Sequence, residues 1–242
     1  MKQIRFRDPA GAVRTGQWEE GVIKFGDSTY SPDDIDILPP CEPTKIVCVG
    51  KNYAAHADEL DSEVPDRPLL FLKPPNTVAG HTDTIQLPEG KERVDYEAEL
   101  AVVIGSQCRN VDPKDAKEVI AGYTCGVDLS NRDDQWEEQN WIRGKAFDGA
   151  APLGPVLASP DELPDDAQVQ LWVNDEQRQD ASIEQLYFSI EDLIAEITEY
   201  MTLEPGDVIM TGTPEGVGPL SDGDEVRVQV EGVGELRHTV KR

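Results

Sequence analysis

The chain has 242 residues, and its 48 Asp and Glu residues outnumber its 22 Lys and Arg residues, which gives a formal net charge of −26. This charge excludes nucleic acid and anionic membranes as favourable partners, and no apolar run approaches the roughly 18 residues of a membrane span. The acidic residues are spread along the whole sequence, so we expect a surface that stays hydrated at molar salt, as in the cytoplasm of a salt-adapted organism.

The N-terminal segment is predicted to form a small β domain over residues 1–42. It contains three short strand-like stretches, IRF, GQW and VIKFG, separated by the turn sequences DPAG and SPDD. Its first residues lack the apolar core of a signal peptide, so we expect a cytoplasmic protein. Residues 43–242 form the second predicted domain, which begins with the apolar strand KIVCVG.

The stretch that follows this strand, VGKNYAAHADEL, contains a candidate base. His56 and Glu59 are three residues apart and would be neighbours on a helix. A carboxylate beside an imidazole raises its basicity, which allows histidine to take a proton from water near neutral pH. The spacing is equally consistent with an exposed helical histidine that lies beside one of many glutamates.

Glu97 and Glu99 are two residues apart at the start of the apolar strand ELAVVIG, so their carboxylates point to one face of a sheet. Asp128 follows another short apolar stretch and could supply a third oxygen ligand. Three carboxylates suit Mg²⁺ or Mn²⁺ and leave positions open for substrate oxygens. In so acidic a chain, the Glu pair alone is also consistent with a solvated strand end.

Between these strands, Pro113–Ile120 is predicted to be helical because proline and acidic residues favour a first turn.

Lysine is scarce in this chain, and Lys145 is the only lysine between Lys117 and Lys241. A desolvated ammonium could neutralise an anionic substrate or a developing enolate, although an ordinary surface lysine is the simpler interpretation. Lys51 and Lys73 are retained near the other candidate residues, and a purely solvating acidic surface would not require them.

The C-terminal third is predicted to contain the strands VQLWVN and DVIMTG with one amphipathic helix between them. The helix begins at Ser189, which can cap its first turn, and it ends before Glu204-Pro205-Gly206. The sequence GTPEGVG at residues 212–218 can bring backbone amides close to a carboxylate, or it can form a simple tight turn. Alternating valines at residues 226–230 predict a final hairpin.

Taken together and in this order, these segments resemble the fumarylacetoacetate hydrolase family over residues 45–240. The joint pattern is more specific than any of its parts. The resemblance implies that His56 and Glu59 form a catalytic dyad. It also implies that Glu97, Glu99 and Asp128 hold the metal.

The resemblance further implies roles for residues around these groups. Gln135 matches a polar group near the substrate carbonyl, and Lys145 matches the active-site lysine of K-x-F-D. The residues that the resemblance assigns to substrate binding are Lys51, Asn52, Tyr53, Gly212 and Thr213. Lys51 stands where the family has arginine, and Asn76-Thr77 stands where paired serines are common, so both departures concern the identity of the substrate.

The implied fold is mainly β with a few helices, a mixed β roll or sandwich, and the implied assembly is a homodimer. The implied enzyme hydrolyses the C–C bond of an acylpyruvate-type 2,4-dioxo acid through a metal-bound enolate, as short members related to acylpyruvate hydrolase do. Two alternatives remain: decarboxylation of oxaloacetate and isomerisation of 2-hydroxyhepta-2,4-diene-1,7-dioate. A third, of a different class, is a non-catalytic acidic protein that binds ions loosely.

Overall fold

The computed structural model describes residues 1–54 and 65–242, and strands dominate this part of the chain. The predicted class, mainly β with a few helices, is confirmed. The strands are β1 (Lys2–Arg7), β2 (Val13–Glu19), β3 (Val22–Phe25), β4 (Ser28–Tyr30), β5 (Asp36–Leu38), β6 (Ile46–Gly50), β7 (Leu69–Lys73), β8 (Val78–Ala79), β9 (Thr84–Gln86), β10 (Val94–Tyr96), β11 (Ala98–Ile104), β12 (Ile120–Val127), β13 (Ser130–Asn131), β14 (Ala151–Ala158), β15 (Gln168–Val173), β16 (Glu176–Ser182), β17 (Val208–Met210), β18 (Gly218–Pro219), β19 (Glu225–Val230) and β20 (Gly234–Lys241). The α-helices in the described residues are α1 (Arg132–Glu137), α2 (Ile142–Lys145) and α3 (Ile190–Tyr200).

The largest sheet joins the N-terminal segment to the rest of the molecule. Its twelve strands run in the order β4-β3-β2-β1-β14-β12-β11-β17-β6-β7, with β5 paired to β1 and β8 paired to β14. Strand β1 is antiparallel to β14 and places Ile4 opposite Val156. The N-terminal strands therefore extend a sheet of the main body, and a domain boundary at residue 42 stays a prediction.

The centre of this sheet is apolar on both faces because other elements cover both sides. In β11, Leu100 and Val102 point into one core cluster, whereas Ala101 and Val103 point into another. A strand that is buried on both faces has a continuous apolar sequence, as ELAVVIG does. This strand is therefore a rigid support for the two glutamates at its start.

A second sheet and the longest described helix pack over the first core cluster. The five-stranded sheet has the order β16-β15-β19-β20-β9, and Val226, Val228 and Val230 of β19 are buried as their alternation predicts. Helix α3 begins after Ser189, whose hydroxyl accepts a hydrogen bond from the Asp192 backbone N–H. Both the predicted hairpin and the predicted helix start are confirmed.

One helical prediction needs correction, and two short helices were not predicted. Pro113–Val119 is a 3₁₀ helix rather than an α-helix, and only Ala116 of its residues is buried, so the segment has no apolar face to stabilise longer regular turns. Helices α1 and α2 were not predicted, because their sequences RDDQWE and IRGK are short and have no apolar period. No helix within residues 1–54 and 65–242 combines the length and apolar character needed to cross a membrane.

Candidate active site

Two adjacent antiparallel strands bring three carboxylates together. The pairing of Ala98 with Val127 places Glu97 opposite Asp128, and the Asp128 N–H donates to the Glu97 carbonyl oxygen over 2.8 Å. Glu99 lies two residues further along β11 and therefore on the same face. One carboxylate oxygen from each residue lies within 4.8 Å of the other two, and all three side chains are buried. The structure thus places the three predicted metal ligands at one point.

Two buried lysines neutralise much of this negative charge. Lys145 Nζ donates to Glu97 Oε2 (2.9 Å), to Asp128 Oδ2 (2.7 Å) and to Ser130 Oγ (2.6 Å). Lys73 Nζ lies 2.7 Å from Asp128 Oδ1 and also donates to two backbone carbonyl oxygens. Burial acts to lower the pKa of Lys145, but the Asp128 and Glu97 carboxylates outweigh burial and raise it. The Lys145 side chain is therefore a charged ammonium at neutral pH.

Glu99 is buried among like charges. Burial raises the pKa of the Glu99 carboxyl well above its usual value, and the negative charge of Asp128 raises it further. The Gly212 backbone N–H opposes this effect by donating to Glu99 Oε2 over 2.6 Å. Gly212 has a φ of +105°, and a Cβ atom there would lie 2.8 Å from the Cβ of Asn52, so only glycine fits. The start of the glycine-rich segment thus binds a carboxylate of the protein itself.

Arg132 was missed by the sequence analysis, although it bridges the site. It is buried at the start of α1, and its guanidinium donates to Asp95 Oδ2 (2.8 Å), to Glu97 and to Gln135 Oε1 (2.7 Å). Burial acts to lower its pKa, but Glu97 and Asp95 raise it above the usual value. The spacing of Arg132 and Gln135 suits neighbours on a helix, but that signal is meaningful only once α1 is known.

A cavity of about 90 Å³ opens onto the three carboxylates. Of the predicted catalytic and substrate-binding residues, Lys51, Gln135, Lys145 and Thr213 line it. The aromatic rings of Phe71 and Trp141 also line the cavity and contact each other edge to face at 5.5 Å between centroids. Lys145 Nζ lies 4.8 Å from the centroid of the Phe71 ring, so one wall of the cavity combines a cation with apolar surface.

Asn52 and Tyr53 lie behind this cavity rather than in its lining. The Asn52 amide donates to the carbonyl oxygens of Phe188 (3.1 Å) and Thr211 (2.8 Å) and accepts from the Phe188 N–H (2.8 Å). Asn52 therefore holds the loop before α3 against the end of β17. The Tyr53 hydroxyl is buried and has no hydrogen-bond partner among the described residues, and burial together with the nearby Glu99 raises its pKa. A substrate contact for either residue stays a prediction.

His56 and Glu59 lie outside the residues that the structure describes. The predicted dyad therefore remains an inference from the sequence.

The donor set fits a hard divalent cation. Three buried carboxylates offer oxygen ligands of the kind that Mg²⁺ and Mn²⁺ prefer. Like charges this close are costly in a buried site unless a cation lies among them. Lys145 and Lys73 supply part of that compensation, and a divalent ion held by Glu97, Glu99 and Asp128 would supply more.

Comparison with known proteins identifies relatives over nearly the whole chain. Residues 45–241 match the family model for the fumarylacetoacetate (FAA) hydrolase C-terminal domain. The structure of 5-carboxymethyl-2-hydroxymuconate delta-isomerase from Mycobacterium smegmatis is 41% identical, with a TM-score of 0.92 over 100% of this chain and 99% of that chain. This match confirms the predicted β-roll type of fold.

Two further relatives have different activities. Fumarylpyruvate hydrolase from Pseudomonas aeruginosa, solved in complex with Mn²⁺ and pyruvate, is 32% identical, with a TM-score of 0.78 over 93% of this chain and 98% of that chain. A mitochondrial oxaloacetate tautomerase of Rattus norvegicus is 38% identical over 216 residues, which cover 84% of this chain and 68% of that protein. The relatives thus include an isomerase, a hydrolase and a tautomerase.

Proposed function

The chain belongs to the fumarylacetoacetate hydrolase family, and we propose that it is a metal-dependent enzyme that hydrolyses the C–C bond of a small acylpyruvate-type 2,4-dioxo acid. One observation carries this proposal. Three buried carboxylates form the floor of a cavity whose walls present an ammonium, an amide and a hydroxyl group, from Lys145, Gln135 and Thr213. The complex of a related hydrolase with Mn²⁺ and pyruvate supports the same class of substrate.

The size of the cavity favours a small head group. Its volume of about 90 Å³ is well below the roughly 300–1,000 Å³ of pockets for drug-sized ligands. A carboxylate next to a keto group is compact and carries one negative charge. Lys51 and Lys145, which both line the cavity, match that charge in an otherwise acidic molecule.

Glu97, Glu99 and Asp128 would hold Mg²⁺ or Mn²⁺, and the bound ion would supply Lewis-acid chemistry to the 2-oxo acid head. His56, paired with Glu59, takes a proton from the water that attacks the 4-keto carbon. The bond between carbons 3 and 4 then breaks, and its electron pair moves to the pyruvate fragment as an enolate. Protonation of this enolate gives pyruvate or a relative, and the other product is a carboxylic acid.

Lys145 and Gln135 have complementary roles in this reaction. The Lys145 ammonium stabilises negative charge that develops on the substrate oxygens. The Gln135 Oε1 atom accepts from Arg132, which leaves the Gln135 NH₂ group to donate towards a substrate carbonyl. Their placement on the short helices α1 and α2 brings both groups to the wall of the cavity.

A proton shift without C–C cleavage is the second candidate function. It is favoured by two of the relatives, an isomerase and a tautomerase. The Lys145 ammonium at the same site would stabilise an enolate that is formed by loss of a proton. Decarboxylation of oxaloacetate would also leave an enolate, and the same set of assays tests for it.

The test uses the purified protein in 2 M KCl with Mg²⁺ or Mn²⁺, assayed against acylpyruvates, oxaloacetate and unsaturated 2-oxo dioates. We expect hydrolysis of an acylpyruvate that EDTA abolishes and that His56→Ala lowers by about 100-fold or more, since a general base contributes on that order. His81→Asn is the control, because His81 does not line the site cavity and its Nδ1 accepts from the Arg237 N–H. Turnover of oxaloacetate or a dioate, without acylpyruvate hydrolysis, would replace the first candidate with the second.

A further inference from the structure

Gln179 is a buried polar residue in a strand whose neighbouring residues are exposed. Its exposed fraction is 1%, whereas Arg178 and Asp180 on either side are exposed. The pairing of β15 with β16 places Leu171 opposite Gln179 and Trp172 opposite Gln177, so Arg178 is left without a partner and forms a β-bulge. Bulges redirect side chains and are common beside active sites. Here the bulge precedes the one residue of β16 that reaches the candidate site.

The orientation of the Gln179 amide is fixed by backbone groups. Its Oε1 accepts from the Ala98 N–H (2.9 Å), and its Nε2 donates to the Pro214 carbonyl oxygen (2.8 Å) and to Thr213 Oγ1 (2.8 Å). A backbone N–H can only donate and a backbone carbonyl can only accept, so the reverse orientation of the amide would lose both backbone bonds. The bond to Thr213 therefore runs from nitrogen to hydroxyl oxygen.

The direction of the Gln179–Thr213 hydrogen bond determines what the Thr213 hydroxyl can offer to the cavity. A threonine hydroxyl has one hydrogen and two lone pairs, and Gln179 occupies a lone pair of Thr213, so the hydroxyl hydrogen is left for another acceptor. Thr213 lines the cavity above the carboxylates, and Ala98 lies between Glu97 and Glu99. Gln179 therefore ties the orientation of Thr213 to the strand that carries two of the carboxylates.

We infer that Gln179 is a positioning residue that makes the Thr213 hydroxyl a hydrogen-bond donor to the carboxylate of the substrate. This inference rests on the proposed function, because it assumes an anionic 2-oxo acid in the cavity. It also accounts for a glycine in the same segment. A Cβ atom on Gly216, whose φ is +97°, would lie 2.1 Å from the Arg178 carbonyl oxygen and 3.4 Å from Gln179 Cγ. The glycine-rich segment can thus approach the bulge closely enough for Gln179 to reach Thr213.

The test is a double-mutant cycle with Gln179→Met and Thr213→Val, read by calorimetry. Mn²⁺ is titrated first, and oxalate, a dicarboxylate that resembles the head of a 2-oxo acid, is then titrated into the Mn²⁺-loaded protein. We expect each single variant to bind Mn²⁺ within about threefold of wild type and to bind oxalate about 10-fold to 100-fold more weakly, as for loss of a hydrogen bond to a charged group. The double variant should be no weaker than the single variants, because both changes remove the same interaction.

Gln179→Glu provides an independent test of the same inference if the Gln179→Met variant fails to fold. Its carboxylate still accepts from the Ala98 N–H but cannot donate to Thr213, so the hydroxyl should turn towards it and oxalate affinity should fall at least as far. Gln177→Met is the matched control, because Gln177 lies on the same strand, is exposed, and its side-chain amide donates to Asp180 on the protein surface. It should change neither affinity.

The outcomes separate the two proposals. If wild type binds neither Mn²⁺ nor oxalate, the proposed function and this inference both fail. If wild type binds both ligands but the losses in Gln179→Met and Thr213→Val simply add in the double variant, the inference about Gln179 alone is overturned.

Discussion

The Lys73 ammonium lies 2.7 Å from Asp128 Oδ1, and the side chains of the two residues are only 0% and 1% exposed. Lys73 is the last residue of β7, at the edge of the large sheet, whereas Asp128 directly follows β12 near its centre. Two carbonyl oxygens, from Leu129 and Ala150, accept hydrogen bonds from the ammonium. Lys73 thus holds one candidate metal ligand in place through a buried ion pair.

We expect Lys73→Met to lower the free energy of unfolding of the metal-free protein by about 3–5 kcal/mol, because the change leaves the Asp128 charge buried and without this partner. Urea unfolding in EDTA measures the effect. The matched control is Lys114→Met, whose partner Asp112 lies 3.3 Å away with both side chains exposed, and which should cost less than about 1 kcal/mol. Equal losses in the two variants would contradict the assigned role of Lys73.

Glu99→Gln separates the metal site from a purely structural acidic cluster. Glutamine keeps an acceptor for the Gly212 N–H but removes one of the three clustered negative charges. In wild type, burial and the negative charge of Asp128 raise the pKa of Glu99, which means that the ionised carboxylate is unfavourable there. The metal-free variant should therefore be more stable than wild type. Its Mn²⁺ affinity should fall by more than about 10-fold, since even changes behind metal ligands cost that much.

The two halves of this prediction are measured by urea unfolding in EDTA and by calorimetric titration with Mn²⁺. Glu118→Gln, on the exposed surface of the 3₁₀ helix Pro113–Val119, is the control and should change neither quantity. A rise in stability without any loss of Mn²⁺ affinity would mean that Glu99 is not a ligand.

The part of the site that follows from local spacing could be predicted from the sequence. Glu97 and Glu99 share a face because side chains alternate along a strand, and Ser189 caps α3 because a hydroxyl satisfies free N–H groups. Asp128 is different, because it meets Glu97 only through the register between β11 and β12. It was a candidate ligand from its position after an apolar stretch, and the order of motifs that the family shares then assigned it to the metal.

Arg132 and Gln179 could not have been predicted in this way. Arg132 reaches Glu97 across 35 positions, and Gln179 reaches Ala98 across 81 positions, from a different sheet. The β-bulge at Arg178 reverses the alternation of β16 locally, so a period-two pattern does not indicate which side chain points inward. Contacts of this kind depend on how the sheets pack, which the spacing of residues does not encode.

The net charge of −26 predicts that salt stabilises this protein. The Debye length falls from about 8 Å at 0.15 M salt to about 3 Å at 1 M, which screens repulsion between surface carboxylates. We expect the melting temperature to rise between 0.1 and 2 M KCl, by roughly 2–4 °C for each kcal/mol gained in a chain of this size. A variant with Asn at the exposed positions Asp165, Asp166 and Asp175 should show a smaller rise, and a melting temperature independent of KCl would refute the salt-adapted surface.

His238 predicts a loss of stability in mild acid. The residue lies in β20 with an exposed fraction of 1%, neither ring nitrogen has a hydrogen-bond partner among the described residues, and burial lowers its pKa to about 3. The unfolded chain binds a proton near the ordinary histidine pKa of about 6.5, whereas the folded protein keeps His238 neutral down to its lowered pKa. Its contribution to stability is therefore complete above pH 6.5 and is lost as the pH falls from 6.5 towards 3.

His238→Leu should remove this dependence, because leucine has no proton to bind. Between pH 7 and pH 5 we expect the free energy of unfolding to fall by about 2 kcal/mol more in wild type than in the variant, from the linkage between protonation and folding. Urea unfolding at each pH in 2 M KCl with EDTA measures the difference. Carboxylates titrate in both proteins, so their contributions to the free energy of unfolding cancel when the two proteins are compared. Parallel curves for the two proteins would show that His238 is protonated in the folded state, which would require an acceptor or water beside its ring.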